Sequence, residues 1–359
     1  MNKDLKEKTL SELEQIVVGM NPAPRRGVGM KQKKYLGGYI FHFIHVEDAA
    51  EISQITPLSK TFREQLAEQN YYISHLETHN ILTDKDGTVK YVFGLGDGNR
   101  IETVLLLDGS RKTLCISTQV GCVMKCVFCA TGKVRFRRNL TAGEIVDQVN
   151  TVQKDTGRIS NVVYMGMGEP LENYEAVVKS VRILNEPAGK NIGIRHLTIS
   201  TCGIAPAIKK LADEDLRPRL SVSLNAPTDD LRSKLMPMNK KYPIVKLLNA
   251  VKTYQQKTKE RVTFEYVMIK GLNDSTLHAE LLVKLLRGIK CNVNLIEYNS
   301  HAGCEFTGSS REKMSAFAKV IEEAGIETTI RLKKGSNILA ACGQLGANSN
   351  NVLRAADSI

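Results

Sequence analysis

Three cysteines, Cys122, Cys126 and Cys129, fall within Gly-Cys-Val-Met-Lys-Cys-Val-Phe-Cys-Ala-Thr-Gly, a run too rich in glycine and lysine to be core material. A closed structural metal site needs four ligands, so three thiolates without an obvious fourth imply a centre with one open position, where a substrate can bind. Two other readings stand beside this one. The three could be half of a zinc knuckle completed by a distant Cys or His. A Cys-x2-Cys zinc site normally has a second matching pair, however, and the sequence contains none. They could also be partly buried thiols acting as small hydrophobes. An iron-sulfur site accounts for the spacing better than either.

Such a loop has to be carried by a scaffold, and the flanking sequence supplies one. After Thr113, apolar strand-like runs alternate with amphipathic helical ones, the pattern of a parallel α/β sheet or barrel. The strands are expected at 114–117, 162–167, 197–200, 220–224, 262–268, 293–297 and 328–332. Thr141-x-x-Glu144 is a capping-box pattern at the start of the first helix. Six strand-helix units and a last strand predict an incomplete barrel. In a barrel the chemistry collects at the C-terminal strand ends. The cysteine loop follows the first strand, Gly166-Met167-Gly168-Glu169-Pro170 ends the second, Ser200-Thr201-Cys202-Gly203 the third and Ser223-Leu224-Asn225 the fourth, while Asn299 follows the sixth. Any one of these glycines alone is an ordinary turn residue.

Upstream, Leu10, Leu13, Ile16 and Val17 share one face of a helix, which Asn21-Pro22-Ala23-Pro24 breaks before the basic stretch Arg25 to Lys34. Asp86-Gly87 and Asp97-Gly98 separate short apolar runs that read as hairpins. The expected divisions are a helical accessory domain at 1–75, a β-hairpin extension at 76–107, the barrel with a C-terminal cysteine segment at 108–346, and a polar tail at 347–359.

The 359 residues suit one barrel plus an accessory piece. Fifty Lys and Arg against 38 Asp and Glu give +12, which favours polyanionic partners, nucleic acid first, although a basic enzyme that keeps its charge for solubility reads the same way. No apolar stretch approaches a membrane span, and the opening Met-Asn-Lys-Asp-Leu-Lys-Glu-Lys lacks a signal-peptide core. A cytoplasmic location is expected, with no membrane partner. The eight cysteines then argue for metal or redox chemistry rather than a disulfide framework.

The Cys-x3-Cys-x2-Cys spacing, with Phe128 before the last cysteine, resembles the radical S-adenosylmethionine (SAM) superfamily. There, three cysteines hold a [4Fe-4S] cluster whose fourth iron chelates SAM. Met165-Gly166-Met167-Gly168-Glu169-Pro170-Leu171, Thr198-Ile199-Ser200-Thr201, Ser223-Leu224-Asn225-Ala226-Pro227, Arg232-x-x-Leu235-Met236-Pro237 and Ala341-Cys342-Gly343-Gln344-Leu345 narrow the resemblance to the RlmN/Cfr family of RNA adenine methyltransferases. It runs from about residue 90 to 346, and the N-terminal unit resembles that family's helix-hairpin-helix RNA-binding module. The resemblance implies an incomplete (β/α)6 barrel and a [4Fe-4S] cluster on Cys122, Cys126 and Cys129. It places SAM against Gly168, Glu169, Ser200, Ser223, Leu224, Asn225 and Asn299. Glu169 suits the methionine ammonium, which a carboxylate binds through short charge-assisted bonds. Asn225 stands where other members have histidine, so either a main-chain contact or a small change in SAM binding is expected there.

By the same resemblance one SAM methylates Cys342, and a second is cleaved reductively to a radical that takes hydrogen from the methylated thioether. The thioether carbon then adds to the adenine ring, Glu102 accepts the ring proton, and Cys115 resolves the covalent intermediate as a transient disulfide with Cys342. Taken without the resemblance, Cys342 and Cys115 read as small buried thiols and Glu102 as an exposed strand carboxylate. Cys202, Cys291 and Cys304 match no motif. The implied substrates are adenine 2503 of 23S rRNA and adenine 37 of tRNAs, methylated at C2, with a flavodoxin-like reductant and a monomeric enzyme. Lys133, Arg135, Arg137 and Arg138, with Arg25, Arg26, Lys31, Lys33 and Lys34, are expected to meet RNA phosphates. Three other readings remain open. One is a Cfr-like C8 methyltransferase of the same rRNA adenine, another a non-catalytic metal-containing RNA-binding protein, and the third a radical SAM enzyme with a small-molecule substrate.

Overall fold

The computed structural model describes residues 3–20 and 34–347. Three helices, α1 (Leu10–Met20), α2 (Tyr35–His45) and α3 (Lys60–Glu68), come first. Leu13 and Val17 are the buried stripe of α1, with Leu10 and Ile16 packed against the core beside them. Arg25, Arg26, Lys31 and Lys33 lie outside the described residues.

Three antiparallel strands follow, β1 (Glu77–Thr83), β2 (Val89–Gly94) and β3 (Arg100–Asp108). Their turns use the chemistry the sequence announces. Asp86 and Asp97 accept from the amides of Thr88 (2.8 Å) and Asn99 (3.0 Å), and Gly87 and Gly98 take φ of 81° and 80°. β3 pairs with β4 (Arg111–Cys115), where the sheet turns parallel. After β5 (Gln119–Val120) and β6 (Arg138–Asn139), which pair with each other, the chain alternates α4 (Ala142–Thr156), β7 (Asn161–Tyr164), α5 (Tyr174–Asn185), β8 (Leu197–Thr201), α6 (Ala205–Leu211) and β9 (Arg219–Ser223). Then come α7 (Asp229–Leu235), α8 (Ile244–Thr258), β10 (Val262–Met268), α9 (Thr276–Leu286), β11 (Cys291–Glu297), α10 (Arg311–Glu323) and β12 (Thr328–Arg331). All ten strands other than β5 and β6 form one sheet in the order β1-β2-β3-β4-β7-β8-β9-β10-β11-β12, with β1 and β12 at its two ends, so it is an incomplete barrel with an antiparallel extension. Among the described residues no helix is long and apolar enough to cross a membrane.

The parallel strands alternate polar and apolar residues because their two faces have different tasks. Register puts Cys115, Val163 and Thr198 on one face, and continues through Ser200, Ser221 and Thr263 to Asn292. One step further along the strands, Ser223, Glu265 and Asn294 share that face with Arg331. This is the polar lumen. The opposite face carries Val162, Leu197, Ile199, Leu220, Val222, Val262, Phe264, Val293 and Leu295, each at most 1 % exposed beneath the helices. Burial of side chains of this size is worth about 1.5–3 kcal/mol each, which makes this layer the main source of stability.

Helix α4 docks the N-terminal unit onto the barrel. Its capping box is complete, with Thr141 and Glu144 bonding each other's amides at 3.1 and 2.9 Å. On its buried face Asp147 takes Lys6 at 2.5 Å and the Leu76 amide at 2.7 Å. At the other end of the chain, residues after β12 return to the antiparallel extension. Lys334 donates to the Leu107 carbonyl, the Gly335 amide to Asp86 (2.8 Å) and the Asn337 amide to Asp84 (3.1 Å).

Candidate active site

The loop carrying Cys122, Cys126 and Cys129 leaves β5 through Gly121, which has φ of 76° and where a Cβ would lie 2.4 Å from the Arg135 carbonyl oxygen. Backbone bonds tie it down from several directions. The Val127 amide donates to Leu235 (3.0 Å), the Ala130 amide to Gly343 (2.7 Å), and Thr131 Oγ1 to the Leu345 carbonyl (2.6 Å). His301 Nε2 lies 3.3 Å from the Phe128 carbonyl. The loop is therefore fixed by α7, by the segment after β11 and by the C-terminal segment.

All three thiols keep accessible surface while protein crowds them. Burial pushes Cys122 up to about 12, with the adjacent Cys129 adding to the shift, and raises Cys126 well above the usual thiol range. That is the behaviour of thiols gathered in a partly closed mouth without a cation to neutralise them. Among the described residues no three His, Cys, Asp or Glu side chains converge as a single metal ion would require. Thiolates that bind separate irons of a cluster have no need to converge in that way.

Across the mouth, Gly168 (φ 101°) brings the end of β7 so close to Gln119 that a Cβ would lie 2.6 Å from that side chain. Gln119 Oε1 in turn accepts the Glu169 amide at 2.9 Å. The Glu169 carboxylate is buried. It takes the amides of Leu171 (3.1 Å) and Cys202 (2.7 Å), while burial raises its pKa above the ordinary carboxylate value. An ammonium group placed there would relieve that penalty.

Arg232 organises the neighbouring strand ends, a role that the sequence motif does not reveal. It is fully buried and donates to the carbonyls of Leu224 (3.0 Å), Ser223 (3.2 Å) and Cys202 (2.6 Å) and to Asn239 Oδ1 (2.8 Å). Asn225 sits at φ 59°, a left-handed conformation that Asn tolerates. Its side chain is committed to the fold: Oδ1 accepts the Val267 amide at 2.9 Å and Nδ2 reaches Met236 Sδ at 3.3 Å. Its carbonyl accepts Asn273 Nδ2 at 2.9 Å, which leaves the backbone amide to serve a ligand.

Cys342 is exposed by accessible area yet protein atoms surround it, as for a residue lining a deep mouth. Asn299 Nδ2 holds its carbonyl at 3.1 Å, and the buried Asn299 Oδ1 has no partner among the described residues. Burial raises the Cys342 pKa while Arg331 opposes the rise. Burial pushes Cys115 up to about 12, and the charge that Cys342, 227 positions further along the chain, would carry adds to the rise. All eight cysteines are free, with no disulfide between Cys115 and Cys342. Arg331 Nη1 lies 3.9 Å from Glu265 Oε2.

Glu102 is buried rather than exposed, against the reading its strand position alone suggested. Lys90 pairs with Val104 and Glu102 with Val92 across β2 and β3, which makes Lys90 and Glu102 diagonal neighbours on the face that Cys115 shares. They form a buried ion pair at 3.2 Å, and Glu102 Oε2 accepts the Gly346 amide at 2.8 Å. In the sequence the only signal of Lys90 is a lysine at an inward position of an apolar strand.

The basic segment after the cysteine loop divides. Arg138 is drawn inward by two bonds to Glu144 (both 2.8 Å) and one to Asp97 (2.6 Å), and Lys133 donates to the Gly303 carbonyl. Arg138 therefore braces the loop and is not available to phosphates, whereas Arg135 is exposed.

Comparison with known proteins adds to this geometry. The Radical SAM superfamily profile matches residues 116–282. A probable dual-specificity RNA methyltransferase RlmN of Thermoanaerobacter sp. (strain X514) is 45 % identical over 345 residues, which cover 95 % of this chain and 97 % of that one. The dual-specificity RNA methyltransferase RlmN of Pelobacter propionicus is 43 % identical, with 95 % of each chain covered. Among solved structures, a radical SAM methyltransferase from Sphaerobacter thermophilus superposes with a TM-score of 0.88 at 43 % identity, covering 97 % of this chain and all of that one.

Proposed function

The chain belongs to the RlmN family of radical SAM RNA methyltransferases, and from that premise we propose that it methylates C2 of adenine in RNA by way of a methylated Cys342. The family implies a [4Fe-4S] cluster and SAM. The thiols of Cys122, Cys126 and Cys129, carried on one loop and in no disulfide, fit the cluster. The buried Glu169 carboxylate and the unpartnered Asn299 Oδ1 fit a ligand bearing an ammonium and hydroxyl groups. Gly168, Ser200, Ser223, Leu224 and the Asn225 backbone complete that ligand's surroundings. When bound, the cluster supplies the electron that cleaves SAM to a 5′-deoxyadenosyl radical.

The observation that carries the reading is the place of Cys342: its neighbour Gly343 accepts the Ala130 amide of the three-cysteine loop at 2.7 Å, Asn299 holds its own carbonyl, and Cys115 stands on the lumen face of β4. An aromatic carbon bearing hydrogen is a poor nucleophile toward a sulfonium methyl, so the methyl must first be placed on a better one. Cys342 does this: its sulfur bonds the methyl as the sulfonium bond breaks and S-adenosylhomocysteine leaves. A second SAM per turnover activates that methyl for bonding to the ring. Glu102, held in place by its ion pair with Lys90, takes the C2 proton. Cys115 then attacks the Cys342 sulfur; the sulfur–carbon bond to the product breaks as a transient disulfide forms, and an external reductant, flavodoxin-like in the family, reopens it.

The substrates in this reading are adenine 2503 of 23S rRNA and adenine 37 of tRNAs, the enzyme acts as a monomer in the cytoplasm, and the helical unit of residues 1–75 helps to hold the RNA. The test is to incubate the anaerobically reconstituted enzyme with SAM and digest it. The peptide containing Cys342 should gain the mass of one methylene unit, and a peptide that never carries it would contradict the proposal.

A further inference from the structure

A second cavity, of about 290 Å³, lies away from the mouth. Gln153 at the end of α4, Arg158 ahead of β7 and residues 187–191 ahead of β8 line it, and His45 of α2 forms another wall. These segments precede their strands, so the cavity is at the strands' N-terminal ends, opposite the cysteine loop. Its charged groups are both cationic, Lys190 and Arg158, beside the side-chain amides of Gln153 and Asn191. Lys190 is 9 % exposed and forms no ion pair or hydrogen bond among the described residues. Arg158 is exposed and likewise unpaired.

His45 is fully buried, with Nδ1 3.5 Å from Asn150 Nδ2, an amide that can only donate. Protonated at Nε2, the tautomer that suits this contact, the ring is a donor there, and Nε2 has no partner among the described residues. Burial and the charges of Lys6 and Lys190 hold this imidazole neutral, a donor rather than a cation. Asp48 and Asp147 face Lys190 electrostatically without reaching ion-pair distance, and Asp147 is already bonded to Lys6.

A buried ammonium with no carboxylate at ion-pair distance, beside an orphaned buried ring nitrogen, is costly, and both are satisfied by one tetrahedral oxyanion. We infer that this cavity is a phosphoryl-binding site, filled by a backbone phosphate of the RNA substrate. RNA is the favoured source because the family acts on RNA, the chain carries +12, and the wall contributed by α2 belongs to the N-terminal unit rather than to the catalytic barrel. The inference rests on RNA being the substrate and not on which ring carbon is methylated.

The test uses the cluster-loaded enzyme, Arg158→Gln, Lys190→Met and, as a control on an exposed helix position, Lys252→Gln. RNA affinity is measured across salt concentrations, and thermal stability with inorganic phosphate or chloride at matched ionic strength. Each phosphate contact contributes about 0.9 to the slope of log affinity on log salt in duplex and about 0.7 in single strands. Each cavity variant should lower the slope by about one such unit and abolish stabilisation by phosphate, with the control unchanged. Lys190→Met should remain at least as thermally stable as the parent, an outcome a purely structural lysine would not give. Unchanged slopes with phosphate stabilisation lost would overturn RNA as the occupant in favour of a free phosphorylated molecule. A parent indifferent to phosphate, with unchanged slopes, would overturn the site itself. Failure of the C2 assignment is read separately from the nucleoside products and leaves these slopes untouched.

Discussion

Replacing Arg232 by Met should damage the site from beneath without touching a reacting atom. The guanidinium makes four bonds to groups that converge on the ends of β8 and β9, three of them carbonyls. Hydrogen bonds to a charged donor contribute about 1.5–3 kcal/mol each, and much of that is offset by the several kcal/mol it costs to bury the cation. Left without this donor, buried carbonyl and amide oxygens cost about 1–3 kcal/mol each, and relief of the cation's burial offsets part of that, for a net loss of about 3–5 kcal/mol. For 359 residues, with an unfolding entropy of about 2.1 cal/mol/K per residue, this corresponds to a melting temperature lower by about 4–7 °C. Calorimetry under anaerobic conditions, with SAM affinity measured in parallel, checks both halves. SAM binding should weaken because the freed carbonyls of Ser223 and Leu224 lose their fixed positions. Arg232→Lys should recover only part of the loss, since an ammonium cannot reproduce the planar fork. A variant that melts within about 1 °C of the parent and binds SAM normally would refute the reasoning.

Cys115→Ser should accumulate RNA covalently bound through Cys342, visible as a slow band on a denaturing gel, because the thiol that releases the product is gone; a clean turnover would remove Cys115 from that role. In the enzyme without RNA, Cys115 stays protonated because burial places its pKa near 12. Its alkylation rate should therefore rise about tenfold per pH unit from 7 to 10 with no plateau near 8.5, the ordinary thiol value. The sign for stability follows: a thiol raised on folding contributes fully below about pH 8.5 and loses that contribution as pH climbs toward 12. Glu102→Gln should abolish product release and leave the buried Lys90 without its counter-charge, at a cost of about 3–5 kcal/mol. Adding Lys90→Met should restore the melting temperature but not the activity.

The cysteine loop, the strand ends and the hairpin turns were legible because each is a local pattern with a local cause. The alternation in Arg219-Leu220-Ser221-Val222-Ser223 and Val262-Thr263-Phe264-Glu265 announces a sheet with one polar and one apolar face, and register turns it into a lumen. Asp86-Gly87 and Thr141-x-x-Glu144 form the turn and cap they encode. What was not legible depends on contacts between distant segments. Arg138 looked like a phosphate ligand until Asp97, far upstream, was found bonded to it. Arg232 lies in a motif that discloses nothing of the three carbonyls it joins. The burial of Glu102 follows from Lys90 and from the returning amide of Gly346. The cavity at His45 is assembled from segments more than 100 positions apart.

The most direct test is nucleoside mass analysis of an rRNA fragment after reaction with the anaerobically reconstituted enzyme, SAM and a reductant, with Cys342→Ala run alongside. The account predicts 2-methyladenosine from the parent and none from the variant, although the variant still cleaves SAM. Methylation at C8 would move the chain to the Cfr-like reaction. Unmodified adenosine from an enzyme with an intact, SAM-cleaving cluster, or C2 methylation that survives loss of Cys342, would contradict the account.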